Sequence, residues 1–522
     1  MSATASSTGD PWKKRSVVSS FIMKLDAAEP KVALFQRSDK VSTYRHHLAP
    51  ISGTIESADP SPLAAAWREI AEETTLTPAS LALLRQGKSY TFRDPSVRRE
   101  WTVFPFLFRL KTPADEQRIQ IDWEHEAWGW HDPDAVVRDA TGDLPGVPRL
   151  AESLRRVWFE TDLGPAAGRV LAEGLDALAH DHESGARQLA GAALQTLRGV
   201  VAELEAAPDE APTDEWWVRV RFAAWHLSKN GRESMGAAIM SALLAALAGI
   251  EQTLRSGHAG PWRDAVLREL DARIASRQES AKLVSQAFAA YLEGTYPTKL
   301  AAQEPISILT LACAMPRFLP VSYSDLRVLE SRPLFEGVSL AGGVAEDLGS
   351  ESSSSSTAQA HKITLHSDAS AALASSGIDV VVLGADRIAA SGAVSNKTGS
   401  LPAVLSAKHV SPTAKVIVLG ESDKIAPPGR PEEHVVEDND PSQISRAWQA
   451  EYNSGRVRGA TATLRDPQSS RVKTEIRNVF FEWVPASLID AYVTESGEWT
   501  TQQIAQHSEK LETEERRFFG TL

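Results

Sequence analysis

The pattern of apolar and polar positions changes rhythm twice along the chain. Up to about residue 145, the runs "SVVSSFIM", "KVALFQRS" and "WTVFPFLFRL" read as strands, with "AAWREIAEET" (Ala65–Thr74) as a helix among them. From about Leu150 to Ser285 the texture is helical and rich in Ala and Leu, broken by the acidic, Pro-containing "EAAPDEAPTDE" (Glu205–Glu215). From Pro305 onward, short β-branched runs return: "PISILTLA", "LRVLES", "HKITLH", "DVVVLGAD" and "AKVIVLGES". Helical segments such as "DASAALASSG" and "LPAVLSAKHV" follow them, and this alternation predicts a doubly wound parallel sheet. The low-complexity segment "GSESSSSSTAQA" (Gly349–Ala360) reads as an inserted loop.

A chain of 522 residues exceeds what one core serves, so two or three domains are expected. Its net charge of -13 speaks against nucleic acid as a partner, and the basic run "WKKR" (Trp12–Arg15) reads as a strand flank. A single cysteine, Cys313, excludes an intrachain disulfide and fits a reducing, cytoplasmic setting. The polar start has no hydrophobic signal region. The apolar run "MGAAIMSALLAALAGI" (Met235–Ile250) is expected as a buried core helix, not a membrane span.

In "AAWREIAEET", Glu69, Glu72 and Glu73 share one helix face at i, i+3 and i+4. Like charges at that spacing cost about 0.2–0.5 kcal/mol per pair, and a hard, oxygen-seeking cation would relieve them. With the preceding "GTIESADPSPL", the stretch resembles the Nudix box: Gly53, a loop glutamate, then Arg68, Glu69, Glu72 and Glu73. The resemblance implies an α/β/α sandwich over roughly the first 145 residues. It also implies Mg²⁺ (or Mn²⁺) held by Glu69, Glu72 and Glu73, with Glu72 catalytic and Arg68 orienting a glutamate. Two departures stand out. The loop is one residue longer than usual, so Glu56 or Asp59 stands for the loop glutamate, and Thr75 replaces a glycine.

The stretches "DHESGARQLAGAAL", "WHLSKNGRESMGAAI", "ESRPLFEGVSLA", "VVVLGADRIAASGAVSNKTGSLPAVLSAK" and "IRNVFFEWVPASLIDAYVTESG" occur in that order. Together they resemble the fold shared by the alpha, beta and delta subunits of translation initiation factor 2B with methylthioribose-1-phosphate and ribose-1,5-bisphosphate isomerases. The resemblance implies Asp386 as a catalytic acid/base partnered by a cysteine, for which Cys313 is the candidate. It implies Gly185, Ala186, Arg232, Arg332, Asn396 and Lys397 as substrate contacts. Cys313 stands one position later than the isomerases' cysteine, and a one-residue slip on a strand reverses the side chain's face. Ser184 stands where some isomerases carry arginine.

The expected organisation is a Nudix-like domain (12–148), a helical subdomain (150–290), a Rossmann-like doubly wound sheet (300–500) and a C-terminal helical tail (501–522). The expected ligands are a nucleoside diphosphate derivative with Mg²⁺ and a sugar phosphate open to aldose–ketose isomerisation. The resemblance further implies pairing of two copies through the C-terminal domain. The alternative reading is a non-catalytic regulatory subunit that binds initiation factor 2B-type partners and carries a Nudix-like domain.

Overall fold

The apolar runs of the first 150 residues form one mixed sheet in the computed structural model, which describes residues 12–25, 29–139, 142–182, 184–205, 212–232, 235–256, 261–311, 324–351, 362–429, 439–450, 454–465 and 475–522. Its strands are β1 (Lys13–Lys24), β2 (Lys31–Arg37), β3 (Leu48–Ala49), β4 (Leu81–Gln86), β5 (Tyr90–Asp94), β6 (Arg99–Leu110) and β7 (His125–His131). The order is β3-β2-β1-β6-β4, with β5 on β6 and β7 on β2. The long central pair, β1 and β6, is parallel from Lys13↔Arg99 to Met23↔Arg109. Side chains alternate between faces along each strand. Val18, Ile22, Ala33 and Phe35 therefore pack under helix α1 (Pro62–Thr74), while Phe21, Met23, Val32 and Leu34 pack under α2 (Pro133–Val137) and α3 (Leu150–Arg155). This is the expected three-layer sandwich.

Helix α1 starts where Ser61 accepts the Ala64 N–H and Pro62 supplies the first turn. It stops at Thr75, whose φ of 62° is left-handed backbone that favours glycine. Threonine there costs about 1–2 kcal/mol. The Thr75 hydroxyl offsets part of this by donating to Arg118 O at 2.9 Å.

Five long helices follow: α4 (Glu160–His180), broken at Gly164, α5 (Ala186–Glu203), α6 (Asp214–Asn230), α7 (Gly236–Arg255) and α8 (Trp262–Thr295). Residues Met1–Leu175 and Gly199–Asn230, with Leu522, form one compact unit, and Asp176–Arg198 with Gly231–Thr521 the other. Packing in the first unit thus runs across the boundary expected near 148–150. Arg85 of β4 donates to both Glu160 oxygens at 2.9 and 2.7 Å, with its guanidinium 3.8 Å from the Phe159 ring. Next to it, the Gln86 N–H donates to Asn230 Oδ1 at 2.7 Å. Arg85 is buried and Glu160 about one-fifth exposed. Arg85→Met should therefore lower unfolding stability by about 2–3 kcal/mol, because it leaves a half-buried carboxylate unpaired. A urea midpoint that does not move would contradict this.

The second unit is built on the sheet order β10-β9-β8-β11-β14-β16-β17. In chain order, after the short α9 (Pro297–Ala301), come β8 (Ile306–Thr310), β9 (Ser324–Leu329), α10 (Glu336–Glu351), β10 (Lys362–His366), α11 (Ala371–Ala374) and β11 (Val380–Leu383). Then follow β12 (Arg387–Ile388), β13 (Val394–Lys397), α12 (Ser400–Val410), β14 (Lys415–Leu419), α13 (Ser442–Ser445), α14 (Gly455–Arg465), β15 (Phe481–Val484), β16 (Ala491–Thr494), β17 (Gly497–Trp499) and α15 (Thr501–Phe519). All pairs in the large sheet are parallel except β16 with β17. Helices α8 and α10 cover one face and α11, α12 and α15 the other, as a doubly wound sheet requires. Strands β12, β13 and β15 form a small antiparallel sheet.

The apolar segment from Met235 to Ile250 opens into α7, whose Ile239, Leu243, Leu247 and Ile250 are buried within the unit. The terminal segment is a packed helix: Thr500 and Gln503 form a capping box, and Ile504, Phe518 and Phe519 are buried. Cys313 and residues 352–360 of the Ser-rich segment lie outside the described residues.

Candidate functional site

A polar cavity lies in each unit. That of the first unit has a volume of about 450 Å³ and lies beside α1. Gly53, Glu56, Arg68, Glu69 and Glu72 line it, as does Glu124, which the sequence reading left out. Glu124 comes from the turn before β7 and joins α1 through long-range pairing of β2 with β7, so no local spacing announces it. Arg68 anchors the cluster, donating to Glu69 Oε1 at 2.7 Å and to Glu72 Oε2 at 3.3 Å. Its other nitrogens take both oxygens of Asp59, at 3.1 and 2.9 Å. The loop acid at the arginine is therefore Asp59, not Glu56. The extra loop residue is taken up in a turn where Asp59 also accepts the Glu56 N–H at 2.8 Å.

Glu73, expected beside Glu69 and Glu72, is 2% exposed and does not line the cavity. Its Oε2 lies 2.5 Å from His125 Nε2. Burial, with Glu124, Glu69 and Asp122 nearby, holds its carboxyl well above the usual range. Burial pushes His125 down to about 4, against the pull of Asp122. Glu73 thus pairs with His125 away from the cavity lining, whereas the helical spacing had placed it with Glu69 and Glu72 as a ligand.

Among the described residues, no three His, Cys, Asp or Glu side chains are gathered tightly enough to hold an ion as they stand. The donor chemistry nevertheless fits a hard cation. Burial pushes the Glu69 carboxyl up, and the charges of Glu72 and Glu124 add to that push. An approaching cation would reverse it. The far wall is aromatic. Tyr44 and Trp101 have ring centres 6.4 Å apart, and Tyr90 and Phe92 stack at 6.0 Å. Tyr44 sits at φ 54°, fixed by its hydroxyl donating to Asp94 at 2.7 Å.

The second cavity, about 200 Å³, opens at the carboxyl ends of β11 and β14, next to the point where strand order reverses between β8 and β11. Gly185 and Ala186 at the start of α5, with Arg232, Asp386, Asn396 and Lys397, all line it. These six were expected together from stretches spanning more than 200 residues, and the fold gathers them. Asp386 faces the cavity and is partly exposed to it. Burial pushes its carboxyl up, although Lys424, Lys397 and Arg232 pull it down. Asn396 donates to Ser400 Oγ at 2.9 Å. Arg332, the remaining expected contact, is exposed, with its guanidinium 5.8 Å from the Phe335 ring centre, and does not line the cavity. Its backbone N–H is tied to Asp368 at 2.8 Å, and Glu336, four residues on, faces the cavity in its stead. Glu336, Glu421 and Lys424 were not singled out from sequence.

An α/β/α sandwich with a carboxylate-lined cleft, followed by a doubly wound sheet with a mixed-charge cavity, defines the class of molecule. The NUDIX domain profile matches residues 14–157. That of the Initiation factor 2 subunit family matches residues 182–501, more than half of the chain, and the chain belongs to that family. A probable bifunctional methylthioribose-1-phosphate isomerase/methylthioribulose-1-phosphate dehydratase of Nocardia farcinica is 31% identical over 174 residues, 33% of this chain and 26% of that protein. A methylthioribose-1-phosphate isomerase of Serratia proteamaculans is 29% identical over 178 residues, 34% of this chain and 45% of that protein. The chain thus spans less than half the length of these relatives. The crystal structure of the Pyrococcus horikoshii OT3 translation initiation factor eIF-2B aligns over 63% of this chain and 96% of its own, at 16% identity and a TM-score of 0.42.

Proposed function

We propose that the first unit is a divalent-cation-dependent hydrolase of a nucleoside diphosphate derivative, and that the second binds and isomerises a phosphorylated pentose. The observation that carries the second half is the gathering of Asp386, Asn396, Lys397 and Arg232 with the first turn of α5 around one small cavity. The cations and the N–H groups of the helix start suit a phosphate, and a cavity-facing carboxyl raised above its ordinary value suits proton transfer. The isomerase names of the relatives agree with this reading.

In the first unit, Glu69 and Glu72 would hold Mg²⁺ or Mn²⁺, with Glu124 facing them across the cavity. An ion held there would supply Lewis acidity toward a diphosphate and a more acidic water. Arg68 keeps the Glu69 carboxylate in place, and the aromatic wall offers a stacking surface for a base.

The test is a melt of the purified chain with ribose 1,5-bisphosphate, methylthioribose 1-phosphate, ribose 5-phosphate, AMP and ADP-ribose with Mg²⁺. A ligand at a hundred times its dissociation constant adds about 2.7 kcal/mol. Glu72→Gln should lower Mg²⁺-dependent hydrolysis of ADP-ribose by about a hundredfold or more. The ligand-free melt should hardly move, because the Glu72 side chain is 59% exposed. A chain that neither cleaves ADP-ribose nor responds to any pentose phosphate would sink both halves.

A further inference from the structure

The loop between β9 and α10 is built to deliver one side chain. Ser331 and Phe335 both lie at φ 60°, a left-handed backbone that is strained for non-glycine residues. Asp368 holds the turn, accepting the Ser331 and Arg332 N–H groups at 2.9 and 2.8 Å. Gly337 then lets α10 begin hard against the end of β9, since a Cβ there would sit 1.8 Å from Leu329 O. What this fixes is Glu336, the first residue of α10, at the cavity wall. Strained backbone persists where the surroundings over-determine it, and such places cluster at functional sites.

Glu336 Oε1 accepts from Lys397 Nζ at 2.5 Å, and Lys397 is 3% exposed with its ammonium 4.2 Å from the Phe480 ring centre. The other carboxylate oxygen of Glu336 is buried without a hydrogen-bond partner. Glu336 is also among the charges that push Asp386 up. Two of the carboxyl groups lining this small cavity therefore stand in opposite settings: Glu336 against an ammonium, Asp386 raised above its ordinary value by burial. Such a divergence separates a base from an acid.

Resting on the sugar-phosphate reading above, we propose that Glu336 is the second catalytic acid/base of this cavity, taking the C2 proton of a furanose 1-phosphate while Asp386 serves the sugar oxygens. An aldose 1-phosphate has no free carbonyl, so its ring must open. Asp386 gives a proton to the ring oxygen as the C1–O bond breaks, and Glu336 removes the proton from C2, leaving an enol phosphate. Glu336 then returns a proton to C1, and Asp386 takes one from the C2 hydroxyl as the ketone forms. Protons and electrons balance, and both carboxyl groups end as they began. The substrate's phosphate competes for Lys397, so filling the cavity frees the Glu336 oxygen to act. Glu336 thereby supplies the role that the family resemblance gives to a cysteine.

The experiment follows conversion of ribose 1,5-bisphosphate and methylthioribose 1-phosphate in D₂O by NMR, with melts of the same preparations. Glu336→Gln should lose about a hundredfold or more in turnover while keeping the sugar-phosphate melting shift, and Cys313→Ser should stay within about threefold of wild type. The ligand-free melt of each variant controls for folding. The proposal is overturned if Glu336→Gln turns over normally, if Cys313→Ser takes the loss instead, or if Glu336→Gln abolishes the melting shift, which would make it a structural partner of Lys397. Wild-type binding without conversion also overturns it, yet leaves the binding reading standing. A wild type that neither binds nor converts either sugar ends both.

Discussion

Gly53→Ala is expected to lower the hydrolysis proposed for the first unit by two or more orders of magnitude while the fold survives. A Cβ at position 53 would lie 1.9 Å from Glu69 Cδ and 2.0 and 2.2 Å from its two oxygens. The φ of Gly53 lies outside the left-handed region, so the requirement is for space and not for backbone freedom. Glu69 cannot simply retreat, because it is 9% exposed and bound to Arg68 at 2.7 Å. Nor can the loop shift freely, since Gly53 O accepts the Val18 N–H at 3.0 Å. Overpacking of this kind costs about 1–3 kcal/mol, a few degrees in a melt. The kinetic loss is larger, because a misplacement of about 1 Å at a reacting site costs about a hundredfold. Comparing kcat/KM for Mg²⁺-dependent cleavage with the melt separates the two. Unchanged kinetics would show that the position of the Glu69 carboxylate does not matter.

The glycine and the acidic helix were legible because they are local: helical spacing alone puts Glu69 and Glu72 on one face, and the structure keeps them there. The same spacing misled at Glu73, whose place on the helix turns it toward His125, 52 residues away, and out of the cavity. Glu124 shows the converse, since only strand pairing brings it to the cluster. In the second unit the strand rhythm predicted the doubly wound sheet, and ordered stretches placed Gly185, Arg232, Asp386 and Asn396 around one cavity. The resemblance implied Arg332, but the turn, which presents Glu336 instead, is decided by φ at Ser331 and Phe335 and by Gly337 against Leu329 O. A glutamate followed at once by glycine at a helix start was the available signal. Helix length was poorly legible: "DASAALASSG" yields a 3₁₀ turn and the four-residue α11, because Gly377 turns left-handed immediately after it.

Asp386→Asn should make the chain more stable at neutral pH and at the same time remove the proposed turnover of sugar phosphate by the second unit. Burial is the largest influence on this carboxyl and raises it above its ordinary value, outweighing Lys424, Lys397 and Arg232. A carboxyl raised in the folded state binds its proton more tightly there than in the unfolded chain. Its ionisation therefore weakens the fold as pH climbs through the raised value. Below about pH 4, where the unfolded carboxyl is protonated too, the difference vanishes. Asparagine keeps the shape and removes the ionisation. The variant's melting temperature should exceed wild type at pH 7 to 8, and the gap should close as the pH falls toward 4. Over the same range, interconversion of the sugar phosphates should fall by about a hundred- to ten-thousandfold, the contribution of one positioned acid/base. A group placed for chemistry at the expense of stability gives this opposed pair of results. A variant destabilised at every pH would instead mark Asp386 as a structural partner of the three cations around it.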